Sequence, residues 1–433
     1  MPDVTIQPIT KPFTATITPP GSKSLTNRAL VLAALSDGAC ELSNVLFADD
    51  TEVMLDNLAR LGFQLDVNRE HRTVRVHGRG GRIGSAQADL FCGNSGTTIR
   101  FLTALCTLGH GTYTLDGVER MRQRPIGALT GLLKQLGARV GHAPEAEQFP
   151  PVHVHADGLP GGLIQYGSEI SSQFLSAILM VAPFARIEVR VELAPNQTSW
   201  PYIAMTMRLM DHFGVTPELI RDPRTGQPRE IIVPRGTYRA TDYTVEPDAS
   251  GASYFLAAAA IHPGSKMTIE GLGKASLQGD VGFGDVLHRM GADLVFGKEF
   301  MTVRGTDTFE GIDVDLSAMP DVAQTLAVAA LFADGETTIR GLRTLRVKET
   351  DRITALAKEL SKLSAKVQVV GDDAITIEPP EHLYPVNIDT YDDHRMAMSF
   401  AVAGTRSSGI TIRNAECVNK TYPTFFEDLK RLV

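Results

Sequence analysis

Residues 252–264 read ASYFLAAAAIHPG, and residues 266–272 read KMTIEGL. The first string is apolar around its whole circumference if helical, which marks a helix buried on every side. The second alternates apolar and polar, which marks a strand with one face in solvent. A buried helix feeding a half-exposed strand puts helices inside and sheets outside. That is the reverse of a doubly wound fold, where helices cover the sheet. The same pairing occurs five more times: NRALVLAAL before CELSNV, TIRFLTALCTLG before TYTLDGV, SQFLSAILMVAP before IEVRVEL, AQTLAVAALFADG before TTIRGL, and HRMAMSFAVAGTRSSG before ITIRNA.

Between these pairs stands an amphipathic helix that ends in a small residue and runs into a short strand. Its copies are NLARLGFQLDV, LLKQLGARVG, RLMDHFGVTPEL, VLHRMGADLVF and ELSKLSAKVQVV, with FFEDLKRLV as a shortened sixth. Their landmarks Gly62, Gly137, Gly214, Gly291 and Ser364 stand 75, 77, 77 and 73 residues apart. The repeated unit is strand, buried helix, strand, outer helix, strand, and six units predict two inside-out α/β domains of three. The boundary falls near Arg239 to Val245. The lead-in strand Val4 to Thr18 precedes the first buried helix and is left to pair with either domain.

Size and composition agree with this division. At ~150 residues per domain, 433 residues make two or three domains. Apolar residues at 43% and charged residues at 21% fit a globular chain and neither a disordered nor a fibrous one. A net charge of −8 without long like-charge runs argues against a protein built to grip nucleic acid or an anionic membrane. The four cysteines, Cys40, Cys92, Cys106 and Cys417, are far apart and form neither a zinc spacing nor a disulfide ladder. The opening MPDVTIQPIT has no basic and apolar export pattern, and the stretch Phe174 to Phe184 is about half the ~20 residues of a membrane span. A cytoplasmic chain with reduced thiols is expected.

The chemistry gathers where the buried helices begin. The first opens with Pro20-Gly21-Ser22-Lys23-Ser24-Leu25-Thr26-Asn27-Arg28, the second with Gly93-Asn94-Ser95-Gly96-Thr97-Thr98-Ile99-Arg100, the third with Ser171-Ser172-Gln173, and the sixth with Asp392-Asp393-His394-Arg395. A cation in the first turn works against the helix dipole by ~0.3–1 kcal/mol. Lys23, Arg28, Arg100 and Arg395 are therefore misplaced unless an anion shares the site, and glycines, hydroxyls and free N–H groups at a helix start bind phosphate. The GSKS string is no nucleotide loop: Ser22 separates its glycine from its lysine, and the upstream glycine is missing.

Two further loops carry cations: Arg120-Met121-Arg122-Gln123-Arg124-Pro125 and Leu345-Arg346-Val347-Lys348-Glu349-Thr350-Asp351-Arg352, with Val418-Asn419-Lys420-Thr421-Tyr422-Pro423 in the last repeat. If the run from Val347 is helical, Lys348, Glu349 and Arg352 share one edge. Asp321, just before the fifth buried helix, has an ordinary explanation as a helix cap. His153 and His155 face one way on a strand but have no third ligand nearby in sequence, so no metal site is expected. Ser199 and Tyr202 offer hydroxyls beside Trp200. Phosphate-type sites in both halves, with Asp321 and Glu349 in the second, point to two anionic substrates held in a cleft between the domains.

The strings PGSKSLTNR, GNSGTTIR, RMRQRP, SSQFL, SWPYI, PDVAQTLAVAALFA, RVKETDR, DDHRMAMSFA and NKTYP resemble the 5-enolpyruvylshikimate-3-phosphate synthase family over essentially the whole chain. The resemblance implies a pair of inside-out α/β domains with threefold pseudosymmetry. It assigns residues 21–241 to the first domain and residues 1–20 with 242–433 to the second, the active site lying in the cleft between them. It implies transfer of the enolpyruvyl group of phosphoenolpyruvate to the 5-hydroxyl of shikimate 3-phosphate, with release of phosphate.

Carried over by this resemblance, Ser24, Arg28, Ser171, Ser172, Ser199, Tyr202, Asp321 and Lys348 hold shikimate 3-phosphate. Gly96, Arg124, Arg352, Arg395 and Lys420 hold phosphoenolpyruvate, while Lys23 and Gln173 touch both substrates. Addition followed by elimination needs a base at the hydroxyl and an acid at C3, and the resemblance implies Asp321 and Glu349 for these roles, with Lys23 assisting the departing phosphate. No cofactor or metal is implied. A monomer is expected, as is inhibition by glyphosate in the phosphoenolpyruvate site. One departure stands out: Thr344 occupies a position where many members carry Asn. A related family, the UDP-N-acetylglucosamine enolpyruvyl transferases, uses a cysteine in the loop equivalent to Arg120–Pro125, which here has none. A non-catalytic repeat scaffold would need neither paired carboxylates nor this charge balance.

Overall fold

The computed structural model describes residues 3–144, 146–167 and 171–433. The chain divides into two units: Gly21–Val245, and a second made of the residues up to Pro20 together with Glu246–Val433. Asp242 to Val245 stay with the first unit because Tyr243–Thr244 pair there with the strand Ala39–Ser43.

The first unit carries α1 (Lys23–Leu35), α2 (Asp49–Arg60), α3 (Gly96–Cys106), α4 (Gly127–Gln135), α5 (Ser172–Val181) and α6 (Trp200–His212). The odd-numbered helices are the buried ones: α3 is buried along its whole length and α1 from Leu25 to Leu35. The even-numbered helices bury one stripe; in α2 it includes Met54, Leu55 and Leu58. Three four-stranded sheets surround them in one repeated order. In the second sheet, Gln87–Phe91 runs parallel to His110–Asp116, which pairs antiparallel with Val152–Asp157, which in turn pairs with Arg139–His142. Alternating burial follows the alternating sequence; in Val189–Leu193 every second residue is buried.

The second unit carries α7 (Ala249–Ala260), α8 (Phe283–Arg289), α9 (Ala323–Ala329), α10 (Arg352–Lys362), α11 (His394–Arg406) and α12 (Phe425–Lys430). Helices α7 and α9 are buried throughout, and α11 exposes only Arg406. Hydroxyls join the three: Ser253 meets Thr325 at 3.0 Å and Thr325 meets Ser399 at 3.5 Å. The inside-out arrangement read from the sequence is present in each unit. A fully buried leucine or phenylalanine contributes roughly 1.5–3 kcal/mol, so tertiary burial rather than capping holds these helices.

The landmark residues owe their regular spacing to geometry. Gly62, Gly137, Gly214 and Gly291 all have positive φ, and Ser364 takes φ 69° in the same place. Each ends an outer helix in the left-handed conformation that releases the chain into the next strand.

The lead-in strand Val4 to Thr18 is not continuous. It forms two strands, Val4–Thr5 and Thr14–Ile17, separated by a segment containing Pro8 and Pro12, whose missing N–H groups interrupt a ladder. Thr14–Ile17 runs parallel to Lys266–Glu270 in the first sheet of the second unit. Val4–Thr5 closes the third sheet against Ile410–Ile412, whose other neighbour is Val386–Ile388. The shortened sixth repeat supplies α12, and the start of the chain supplies the outer strand. Between the two strands, Ile6 and Ile9 are buried. A Cβ placed on Gly404 of α11 would lie 2.5 Å from the Cβ of Ile6.

Candidate active site

In the first unit, Lys23 opens α1 and its ammonium pairs with the Asp50 carboxylate at 3.0 Å. Ser22 at the N-cap makes no side-chain cap bond, so the first N–H groups of α1 are not consumed by it. The Asp50 carbonyl accepts from Ser95 Oγ at 3.3 Å and Thr98 Oγ1 at 3.1 Å, which ties the start of α3 to the same point. Asp50 is a residue that sequence reasoning missed. An acid in the first turn of a helix is stabilised by the dipole and draws no attention.

Gly96 is the first residue of α3, and Arg124 lies against it. The Arg124 guanidinium donates to the Asn94 carbonyl at 2.9 Å and to Asn94 Oδ1 at 3.1 Å. A Cβ on Gly96 would stand 2.6 Å from Arg124 Nη2 and 3.2 Å from Arg100 Nη1. Arg100 donates to Gln173 Oε1 and lies over the Phe174 ring at 5.0 Å. The structure thus brings Gly96, Arg124 and Gln173 together and adds Arg100 and Asn94. From the cationic loop, Arg124 turns this way. Arg122 pairs with Asp116, and Arg120 donates to Gln123 at 3.2 Å.

Arg28 sits deeper than a surface ligand group. It is 1% exposed and donates to the Ser24 carbonyl at 2.9 Å, Thr206 Oγ1 at 2.7 Å and Ser176 Oγ at 3.0 Å, with its guanidinium over Phe101. Burial lowers its pKa to about 10, against a smaller raising influence of Tyr202, so it stays charged at neutral pH. Ser171 is the N-cap of α5 and its carbonyl accepts from the Tyr166 hydroxyl at 3.0 Å; Ser172 is the first helical residue. Ser199 takes φ 55° at the N-cap of α6, a strained conformation for a residue other than glycine, with Tyr202 in the first turn beyond it.

The second unit holds a denser cluster. Asp321 Oδ2 accepts from Arg395 Nη2 at 2.9 Å, while Oδ1 faces Arg352 Nη1 at 3.4 Å and Lys348 Nζ at 3.7 Å. Its carboxylate is turned to these cations, and its place in the first turn of the 3₁₀ segment before α9 agrees with the helix dipole as well. Glu349 accepts from Arg352 Nη2 at 2.8 Å and stands 3.8 Å from Lys420 Nζ. Arg352 therefore bridges the two carboxylates. A third, Asp393, holds Arg352 Nε at 2.7 Å and also caps α11 by accepting from the Arg395 N–H at 2.9 Å. Burial opposes the charge on Arg352, but Asp393, Glu349 and Asp321 outweigh it and hold the guanidinium above its ordinary pKa. Tyr254, reached by Arg395 Nη1 at 3.4 Å, has its phenol pushed up to about 12 by burial.

This grouping does not arise from a helix through Val347. Residues 343–347 form a 3₁₀ turn and α10 starts only at Arg352, because Asp351 caps it by accepting from the Thr354 N–H at 3.2 Å. Lys348, Glu349 and Arg352 meet through the turn that precedes α10. Thr344, the departure from the family pattern, has a buried hydroxyl. Among the described residues, no group of three or more His, Cys, Asp and Glu is placed to hold a metal ion, and no helix is long and apolar enough to cross a membrane. Chemically, four cations arrayed around two carboxylates can bind an anion, stabilise charge that develops on it, and move protons beside it.

Comparison with known proteins agrees with these motifs. The family model described as EPSP synthase (3-phosphoshikimate 1-carboxyvinyltransferase) matches residues 8–429. A 3-phosphoshikimate 1-carboxyvinyltransferase of Shewanella sediminis is 43% identical over 433 residues and covers 100% of both chains. The chloroplastic enzyme of Solanum lycopersicum is 45% identical over 99% of this chain and 84% of its own. Among solved structures, EPSP synthase from Acinetobacter baumannii superposes with a TM-score of 0.79 at 28% identity, covering 99% of this chain and 97% of that one. A match that spans both units and every helix start described above leaves one assignment: the chain belongs to the EPSP synthase family.

Proposed function

We propose that the protein is a 3-phosphoshikimate 1-carboxyvinyltransferase that moves the enolpyruvyl group of phosphoenolpyruvate to the 5-hydroxyl of shikimate 3-phosphate in the shikimate pathway of aromatic amino-acid biosynthesis. The observation that carries this reading is the family match over residues 8–429. The cluster around Asp321 and Glu349 supports it with chemistry of the required kind.

In the proposed mechanism, Asp321 takes the proton of the 5-hydroxyl as its oxygen bonds to C2 of phosphoenolpyruvate, and Glu349 delivers a proton to C3. The tetrahedral intermediate then breaks its C2–O bond to phosphate while C3 returns its proton to Glu349, and the proton taken by Asp321 leaves with the phosphate, so the products are an enol ether and inorganic phosphate. Lys23, Arg124 and Lys420 serve the phosphate, and Arg352 and Arg395 the carboxylate. Ser24, Arg28, Ser171, Ser172, Ser199, Tyr202 and Lys348 orient shikimate 3-phosphate. Preorganised cations of this kind stabilise charge without rearranging during reaction, and holding both reactants in register supplies much of the rate. The reading extends to a cytoplasmic monomer inhibited by glyphosate in competition with phosphoenolpyruvate.

The test is direct. Purified protein given both substrates should release phosphate and should release none when either is omitted. Absence of release beside an active control enzyme would refute the assignment.

A further inference from the structure

The turn that leads into α11 is strained in a way the chemistry above does not explain. Tyr391 and Asp392 both take φ 55°, two successive residues in a region that aspartate enters more readily than most but that a tyrosine enters at a cost. Immediately after them come Asp393, which grips Arg352, and Arg395, which grips Asp321. Something must hold the turn.

Asn414 donates to Asp392 Oδ1 at 3.3 Å, and the closer contacts come from α10. Glu359, a carboxylate with 0% exposure, accepts from the Tyr391 hydroxyl at 2.6 Å, the Asp389 N–H at 3.0 Å and Lys362 Nζ at 2.7 Å. Lys362 also reaches Asp389 Oδ2 at 2.8 Å, and Lys358 Nζ lies over the Tyr391 ring at 5.6 Å. Arg352 and Glu359 are seven residues apart on one helix, two turns, and so lie on the same face. The helix therefore holds residues 389–393 at two points, through Arg352 to Asp393 and through Glu359 to Tyr391.

We propose that Glu359 and Tyr391 are positioning residues that lock the strained Tyr391–Asp392 turn, so that Asp393 is fixed on Arg352 and Arg395 on Asp321 before substrate arrives. The proposal rests on the reading that Arg352 and Arg395 hold phosphoenolpyruvate. A buried carboxylate with three donors is an expensive device for joining a loop to a helix, and a hydrophobic contact would have sufficed for stability alone. What it adds is geometry, to which a paired-arginine anion site is sensitive.

Tyr391→Phe removes one hydroxyl and leaves Glu359 with Lys362 and the Asp389 N–H. The variant is expected to raise the KM for phosphoenolpyruvate about tenfold while kcat stays within about threefold and the KM for shikimate 3-phosphate is unchanged. Adding Asp392→Gly, which makes the left-handed turn cheap, should restore much of the lost affinity. Arg395→Lys serves as the reference. If it disturbs the KM for phosphoenolpyruvate while Tyr391→Phe leaves it within about twofold of wild type, the clamp is overturned and the substrate reading survives. If Arg395→Lys itself has no effect, the substrate reading falls and the purpose of the clamp with it. A Tyr391→Phe protein that loses kcat and both affinities together with its melting temperature, without rescue by Asp392→Gly, would make the contact merely structural and would also overturn the proposal.

Discussion

A single methyl group at position 96 tests the first unit's anion turn. The Cβ of Gly96→Ala would stand 2.6 Å from Arg124 Nη2, and that guanidinium is already anchored on Asn94. The arginine must shift, so the variant should show a raised KM for phosphoenolpyruvate, stronger resistance to the longer glyphosate, and an almost unchanged melting curve; inhibition titrations on both proteins check this. The carboxylates separate by role. Asp321→Asn can still accept a hydrogen bond but cannot take a proton, so substrate binding should persist while turnover falls by about 10²–10⁴-fold. Glu349→Gln should slow exchange of solvent deuterium into the methylene of phosphoenolpyruvate, read by mass spectrometry, and exchange at the wild-type rate would remove Glu349 from the acid's role. Lys23 and Arg395 were legible because a cation in a first helical turn contradicts the dipole, whereas Arg28 and Arg100 stand in the second turn of α1 and α3, so the dipole argument applied to them did not hold. Asp50 and Asp393 were not, since an acid in that position satisfies the dipole and looks unremarkable. Asp321 had the same excuse, and only its three cationic neighbours distinguish it.

Among the elements, α11 shows two effects of opposite sign. Replacing a glycine by alanine inside a helix ordinarily gains ~1 kcal/mol. At Gly404 the new Cβ would meet Ile6 at 2.5 Å, and overpacking of this kind costs ~1–3 kcal/mol. Gly404→Ala should therefore destabilise the second unit by a net ~1 kcal/mol, and it should cost less in an Ile6→Gly background, which lacks the Cβ that stands in the way, than in the parent; urea unfolding of the two single variants and the double variant decides it. The buried helices were legible because no polar face interrupts them, and the outer helices because their αL termini recur. The strand divided at Pro8 and Pro12 was harder to read: alternation at Val4–Gln7 resumes at Phe13–Ile17, so the two ends look like one strand although the ladder is broken between them. The turn at Lys348–Asp351 was hidden for a related reason, since helical spacing and a cap at Asp351 bring Glu349 and Arg352 equally close.

For the whole molecule, the division of the chain is the testable feature. A protein beginning at Gly21 keeps every strand of the first unit but deprives the second of Val4–Thr5, Thr14–Ile17 and the buried Ile6 and Ile9. Limited proteolysis should leave a resistant fragment ending near Val245 and digest the chain beyond it, and a second fragment equally resistant would contradict the role given to the opening strands. The repeat count of three per unit was legible from the spacing alone, whereas the use of the chain's start to finish its last sheet was not, because nothing local to Val4–Thr5 names a partner some 400 residues away. That partnership has a consequence during synthesis. Val4–Thr5 and Thr14–Ile17 leave the ribosome well before their neighbours Lys266–Glu270 and Ile410–Ile412 are made. At ~5–20 residues per second, Val4–Thr5 waits roughly 20–80 s with its edge unpaired while the whole first unit folds behind it. The prolines that break the strand then have a second use: a short, interrupted, partly polar edge is a poor template for neighbouring nascent chains, so the segment can wait without aggregating.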